Sequence, residues 1–237
     1  MNRLTCAIHE TYHVFNRGVD KREIFLTDDE RAYFIHLLYV LNDVHSTYNI
    51  HRHFTQHAEH NLVNGYDWSL TPIIPKRERL VDILAFVLMP NHFHLMLTQR
   101  SEKGISAFMH RLGTGFTNYF NLAHERSGAL FQGTYKRVHV SSHEFYNYLP
   151  HYIHLNPLPI VGTKDKTATD NIRALLSYRW SSFPDYMGKR NFPSVIDPSV
   201  ILKLPENARG YRQGILKYIE SSPLNYAPEK TALIDYD

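Results

Sequence analysis

Cysteine is nearly absent from this sequence of 237 residues, which contains only Cys6. A single cysteine excludes an internal disulfide and cysteine-pair zinc sites, and it is typical of proteins in a reducing cytoplasm. Long apolar runs are also missing, since no stretch approaches the roughly 18 residues that a membrane-spanning helix needs. Residues 1–6 lack the apolar core of a signal peptide. We therefore expect a cytoplasmic protein without a membrane partner.

A strong excess of either charge is missing too, because the formal net charge is only +3. Hydrophobic residues make up 43% and charged residues 21% of the chain, which is ordinary for a globular protein and excludes a disordered one. A chain of this length buries a core as one large domain, or as one domain with an appendage.

The positive charge is concentrated between residues 100 and 140, a stretch that contains six Lys or Arg residues and only two acidic residues. Aromatic residues alternate with these cations, among them Phe108, Tyr119 and Tyr135. Cations for phosphate and aromatic rings for base stacking favour single-stranded nucleic acid as a partner. The alternative is that the aromatic residues are core and the charges lie on a solvated face.

The hydrophobic pattern predicts an α+β fold. Strand formers indicate strands at 11–17, 80–89, 92–98 and 134–140, of which 80–89 is strongly apolar and the last two alternate. Apolar residues at helical spacing follow Thr27, residue 104 and Ser142. The order β-α-insertion-β-β-α-β-α is typical of the ferredoxin-like, split βαβ arrangement, an antiparallel sheet with helices on one side. We predict a first domain at 1–160 with an insertion at about 46–80. Residues 161–237 are predicted to form a C-terminal helical extension, with helices at 171–178 and 208–219.

The strand at 92–98 contains two histidines, His92 and His94, separated by one apolar residue. Side chains alternate along a strand, so both imidazoles share one face while Phe93 enters the core from the other. Such a pair suits a metal or a substrate. Spacing alone decides little, because a chain with 16 histidines contains about one such pair by chance.

Tyr152 and Asn156 are four residues apart on the last predicted helix, so they share a face. A hydroxyl and an amide packed against the two histidines would supply a nucleophile and a third metal ligand. The alternative is a buried tyrosine and a helix terminus. Tyr148 shares this face, and Tyr146 is also nearby, so spacing leaves the choice of tyrosine open.

Several separate stretches resemble one known family, the single-tyrosine HUH transposases, and most of all its REP-associated tyrosine transposase branch within the insertion-sequence-200-like superfamily. The similarity extends over about residues 10–185. The matching stretches are 12–18 (YHVFNRG), 24–25, 87–95 (VLMPNHFHL), 108–112, 128–133, 135–136, 152–153, 156–157 and 180–182.

The resemblance implies bacterial DNA transposition and recombination at hairpin-containing repeats, the REP elements. It implies that Tyr152 is the nucleophile, that His92 and His94 are metal ligands, and that Asn156 is a polar third ligand. Mg²⁺ or Mn²⁺ is the implied cofactor. Cleavage would form a 5′-phosphotyrosine link to single-stranded DNA and free a 3′-hydroxyl.

The candidates for contacts with the DNA backbone are four cations: Arg17, Arg111, Lys136 and Arg137. A monomer and a homodimer are both compatible with the family. Two other functions stay open. One is a catalytically silent hairpin-binding protein of the same fold, and the other is a structural zinc protein in which His151 or His154 joins the pair.

Overall fold

The computed structural model describes residues 6–45, 78–162, 167–197 and 207–221, without the side chains of 207, 208 and 221. The insertion predicted at 46–80 lies outside the described residues except for its last three. The described strands are β1 (Thr11–Arg17), β2 (Val81–Met89), β3 (His92–Gln99) and β4 (Lys136–His139). The described α-helices are α1 (Asp28–Val40), α2 (Gly104–Ala123), α3 (His143–Leu155), α4 (Leu158–Val161), α5 (Ala168–Ser177), α6 (Phe183–Tyr186) and α7 (Asn207–Ser221).

The four described strands form one sheet in the order β2-β3-β1-β4, and every neighbouring pair is antiparallel. This order confirms the α+β fold class and the split βαβ pattern expected from the sequence. In the register between β1 and β3, Arg17 lies opposite His92 and Phe15 opposite His94. The end of β1 therefore adjoins the two histidines.

Helices cover both faces of the sheet, so the prediction of helices on one side is wrong. Helices α1 and α2 pack on the face that carries Phe93 and Leu95, whereas α3 packs on the face that carries Val87 and Met96. The physical reason lies in β2, all nine residues of which are buried. A strand that is apolar on both sides has to be covered on both sides.

Local signals fix the ends of the helices near the site. Thr27 and Glu30 form a complete capping box at the start of α1, as the sequence predicts. The Ser142 side chain accepts a hydrogen bond from the Phe145 backbone and begins α3. That helix ends at its C-cap residue, Asn156, directly before Pro157.

The C-terminal extension is part of the same fold as the sheet in the described structure. Leu175 of α5, Phe183 of α6 and Ile215 of α7 belong to one apolar cluster with Val87 of the sheet and Ile153 of α3. The extension therefore stabilises the helix that carries Tyr152. Of the helices in the described ranges, none is both long enough and apolar enough to span a membrane.

Candidate active site

His92 and His94 lie on the same face of β3, as alternation along the strand predicts. Their ring centroids are 5.0 Å apart and the two rings are nearly perpendicular. The His94 side chain is buried, whereas His92 is half-buried at the end of the strand. Asn91 accepts a hydrogen bond from the His92 ring, because its Oδ1 lies 2.6 Å from Nδ1 of that ring. The neighbouring amide fixes the orientation of the His92 ring.

A third histidine, His13 of β1, completes this group, and it was not among the site residues predicted from the sequence. Its Nε2 lies 2.9 Å from Nδ1 of His94, and its side chain has no solvent exposure. The two rings stack with centroids 5.0 Å apart. The only sequence signal is alternation in β1, which puts His13, Phe15 and Arg17 on one face. Their partner strand could not be identified without the register.

Burial keeps these imidazoles neutral, since a charged ring is poorly solvated in the interior. It lowers the pKa of His13 to about 3. It lowers the pKa of His92 to about 4, an effect that Arg17 reinforces and a hydrogen bond with Asn156 opposes. The pKa of His94 lies well below its usual range, first because of burial and then because of His92 and His13. Neutral imidazoles keep a lone pair that can bind a cation.

Tyr152 of α3 packs directly on this group. Its ring meets His94 edge-to-face at 5.6 Å and His13 at 5.8 Å. Tyr148 lies one turn earlier, with its ring centroid 6.3 Å from that of Tyr152 and 5.6 Å from that of Tyr218. Tyr146 is 40% exposed. Of the three tyrosines considered from the sequence, Tyr152 is the one with described ring contacts to the histidines.

Asn156 joins the same site from the end of α3. Its Nδ2 donates to the carbonyl of Tyr152 at 2.9 Å, and a side-chain hydrogen bond connects it with His92. The helix terminus thus places an amide beside the H-x-H pair. The four residues predicted for chemistry, His92, His94, Tyr152 and Asn156, are brought together by the fold.

The donor set fits a divalent cation only if Asn156 takes part. Among the residues that the structure describes, no three His, Cys, Asp or Glu side chains are arranged to hold a metal ion. The far nitrogens of His92 and His94, together with an amide oxygen, would give a mixed nitrogen and oxygen set that leaves positions open for phosphate. The hydrogen bonds at Nδ1 of both rings leave Nε2 as the ligand atom, as is usual for metal-binding histidines.

Two of the four predicted DNA-binding cations share the face of the histidines. Arg17 lies opposite His92, and its guanidinium donates to the Gln132 side chain. Lys136 lies opposite Phe15, which in turn lies opposite His94. With about 4.8 Å between neighbouring strands, Lys136 is two strands from His94 at the edge of the sheet. Both cations therefore lie on the face of the sheet that carries the histidines.

The other two predicted cations lie elsewhere. Arg137 lies opposite Val14, so it points to the α1 and α2 face of the sheet. Arg111 of α2 donates to the backbone carbonyl of Asp43 at 2.6 Å, a contact that ties α2 to the end of α1. Neither residue adjoins the histidines, and their role in DNA binding stays a prediction.

His151 and His154 face away from the candidate site, towards α7. Both ring nitrogens of His154 are occupied, with Nδ1 2.6 Å from the Tyr211 hydroxyl and Nε2 2.6 Å from the Ser182 hydroxyl. His151 stacks on Tyr211 at 4.6 Å. The geometry gives no support to a structural zinc site that joins either residue with His92 and His94.

Residues 46–156 match the sequence family described as "Transposase IS200 like". Among solved structures, the chain is similar to one titled as a REP-associated tyrosine transposase bound to a REP hairpin. The two are 13% identical, the match covers 83% of this chain and 90% of the other, and the TM-score is 0.48. No curated protein matches this chain in sequence.

Proposed function

We propose that this chain, whose residues 46–156 match the IS200-like transposase family, is a transposase of that family and cuts and rejoins single-stranded DNA through Tyr152. The observation that carries the proposal is the packing of the Tyr152 ring on His94, with His92 and Asn156 alongside. A tyrosine, two neutral imidazoles and an amide then converge on one place, which is what phosphoryl transfer to a protein side chain requires.

In the proposed reaction the Tyr152 oxygen attacks the phosphorus of a phosphodiester. The Tyr152 hydroxyl gives up its proton as its oxygen bonds to phosphorus, the bond from phosphorus to the 3′-oxygen breaks, and the departing oxygen takes up a proton, so no net proton is gained or lost. The products are a 5′-phosphotyrosine link and a free 3′-hydroxyl. The link conserves the energy of the broken bond, so a second 3′-hydroxyl can attack it and rejoin DNA.

Tyrosine is a weak nucleophile at neutral pH, because the pKa of its hydroxyl is about 10. A Mg²⁺ or Mn²⁺ ion at His92, His94 and Asn156 would polarise the scissile phosphate and neutralise the charge that develops on it. Arg17 and Lys136 would hold the flanking phosphates. The resemblance of the sequence to the REP-associated branch supports a hairpin next to the cleavage site.

Tyr152 has no solvent exposure in this structure, and His94 is only 2% exposed. A phosphodiester therefore reaches the hydroxyl only after α3 shifts relative to the sheet. Because the His92 ring is only half-buried and Lys136 is exposed, the DNA strand would enter from the side of the sheet on which these two residues lie. We infer that DNA binding opens the site before the bond is cut.

The same burial favours a second function, a hairpin-binding protein that performs no cleavage. Such a protein would use Arg17 and Lys136 but never expose Tyr152. The two functions differ in one outcome, because only the first forms a covalent bond between protein and DNA.

The experiment is a denaturing gel of the protein with end-labelled single strands from the repeats that flank its gene, with manganese or with EDTA. A matched strand with a disrupted hairpin stem is the control. The transposase function predicts a heat-stable adduct that needs manganese and the intact stem. Retarded native complexes without an adduct under any condition would support the silent binding protein.

A further inference from the structure

His13 is in an unusual position for a residue with only a packing role. It is completely buried between Phe15, which stacks on it at 4.9 Å, and Tyr152. Its Nε2 is hydrogen-bonded to His94, whereas its Nδ1 is buried and has no hydrogen-bond partner within the described part of the chain. An unpaired polar atom destabilises an interior, and a phenylalanine or leucine would fill the space without it.

The hydrogen bond between His13 and His94 contains one proton, so one ring donates and the other accepts. If His94 donates, its proton lies on Nδ1 and its Nε2 keeps a lone pair. If His13 donates, His94 carries its own proton on Nε2 and this atom cannot bind a cation. The partner at Nδ1 therefore decides whether His94 is a competent ligand.

We propose that His13 is a positioning residue that accepts the Nδ1 proton of His94 and thereby keeps Nε2 of His94 available for the divalent cation. The inference rests on the proposed function, because it assumes that His94 is a metal ligand. His13 itself touches neither cation nor DNA. Its own proton then resides on Nδ1.

Two contacts hold His13 in the geometry that this role requires. Phe15 stacks on the His13 ring with an angle of 30° between the planes, and Tyr152 meets that ring at 80°. The ring cannot rotate far between these neighbours. Tyr152, His94 and the hydrogen-bond acceptor His13 therefore pack as one unit.

The first measurement is the tautomer of His94 in the metal-free protein at neutral pH, from nitrogen-15 chemical shifts of labelled histidine. We expect a protonated Nδ1 and an unprotonated Nε2 in the wild type. A protonated Nε2 on His94 would overturn the inference. This measurement needs neither DNA nor cleavage, so it is independent of the transposase proposal.

The second measurement is manganese affinity in the absence of DNA for three variants. His13→Leu removes the acceptor, and we expect about 10- to 100-fold weaker binding. His13→Gln retains an acceptor oxygen and should recover most of the affinity. His139→Gln changes an exposed histidine on β4 and should have no effect.

Hairpin affinity measured in EDTA should be the same for all three variants, which separates cation binding from a general loss of structure. If His13→Leu does not fold, the wild-type tautomer and the Gln variant still test the inference. The inference about His13 would be overturned if His13→Leu bound manganese as tightly as the wild type. It would also be overturned if the wild type bound no manganese. A protein that shows the expected tautomer and affinities but never forms an adduct would contradict the proposed function alone.

Discussion

At the scale of the residue, the candidate site divides into a part that the sequence predicts and a part that it does not. Alternation along one strand was enough to put His92 and His94 on a common face, and helical spacing was enough to pair Tyr152 with Asn156. Neither pattern indicates that the strand β3 and the helix α3 are in contact, because this contact depends on tertiary packing. His13 was missed because its partner, His94, is 81 residues away and only the register between β1 and β3 connects them.

The register also distinguishes two adjacent cations that the sequence treats alike. Lys136 shares the face of the histidines and Arg137 the opposite face. We expect Lys136→Gln to weaken single-stranded DNA binding and to reduce the slope of log affinity against log salt by about 0.7, the effect of one lost phosphate contact. Arg137→Gln is the matched control and should leave both quantities nearly unchanged.

Binding titrations of the two variants at several salt concentrations test this difference. Equal losses for Lys136→Gln and Arg137→Gln would show that the DNA does not follow the face of the histidines. The four-cation set predicted from the sequence would then be the better description.

At the scale of the element, helix α3 is held between the sheet and α7. Its Tyr152 and Asn156 face the histidines, while His154 bonds to Tyr211 of α7 and to Ser182. Ser182 in turn accepts from the Phe86 backbone of β2 at 2.9 Å. The chain of hydrogen bonds β2–Ser182–His154–Tyr211 links the tyrosine helix to the sheet and to α7, and it opposes the shift of α3 that the proposed function requires.

The sequence predicted the helices at 171–178 and 208–219 to within a few residues, because both have apolar residues at helical spacing. It did not indicate their role. The stretch around Ser182 has no helical or strand pattern of its own, so only the tertiary structure reveals that it connects α3 with β2.

Tyr211→Phe tests whether this chain of hydrogen bonds stabilises the helix. The variant keeps the ring but leaves a buried nitrogen of His154 without its partner, so we expect the free energy of unfolding to fall by about 1–3 kcal/mol. Tyr146→Phe removes the hydroxyl of a partly exposed tyrosine on α3 and should change stability by less than about 0.5 kcal/mol. Urea denaturation gives both values, and equal stability of the two variants would contradict the role of Tyr211.

At the scale of the whole molecule, helices cover both faces of the sheet, and the candidate site lies between the sheet and α3. The split βαβ order could be predicted from the sequence because most of its elements have either a hydrophobic period or, like β2, an almost continuous apolar run. The layer of helices on the second face of the sheet could not be predicted in this way. Helix α3 and the helices after it bury their apolar faces against residues that are distant in sequence. The almost continuously apolar sequence of β2, which is buried along its whole length, is the signal that could have indicated helices on both faces of the sheet.

This burial makes the fold sensitive to acid. Burial lowers the pKa of His13 to about 3 and that of His92 to about 4, and it brings the pKa values of His94 and His154 well below their usual range. The unfolded chain takes up protons on these residues at about pH 6.5, whereas the folded chain does not. The stability is therefore fully present above that pH and falls as the pH decreases towards 4.

Each such histidine contributes a slope of up to about 1.4 kcal/mol per pH unit to the free energy of unfolding. Urea titrations between about pH 7 and pH 4.5 measure that slope. We expect His154→Gln to reduce it, and His110→Gln, which alters an exposed histidine on α2, to leave it unchanged. A free energy of unfolding that stays constant over this range would contradict the burial of neutral histidines.

The most direct test of the central claim is the identity of the residue that becomes linked to DNA. Wild type, Tyr152→Phe and Tyr148→Phe would be incubated with the hairpin strand and manganese, and the adduct would be located by mass spectrometry of its peptides. The account predicts attachment at Tyr152 in the wild type and in Tyr148→Phe, and no adduct in Tyr152→Phe. Attachment at any other tyrosine, or an adduct that persists in Tyr152→Phe, would contradict it.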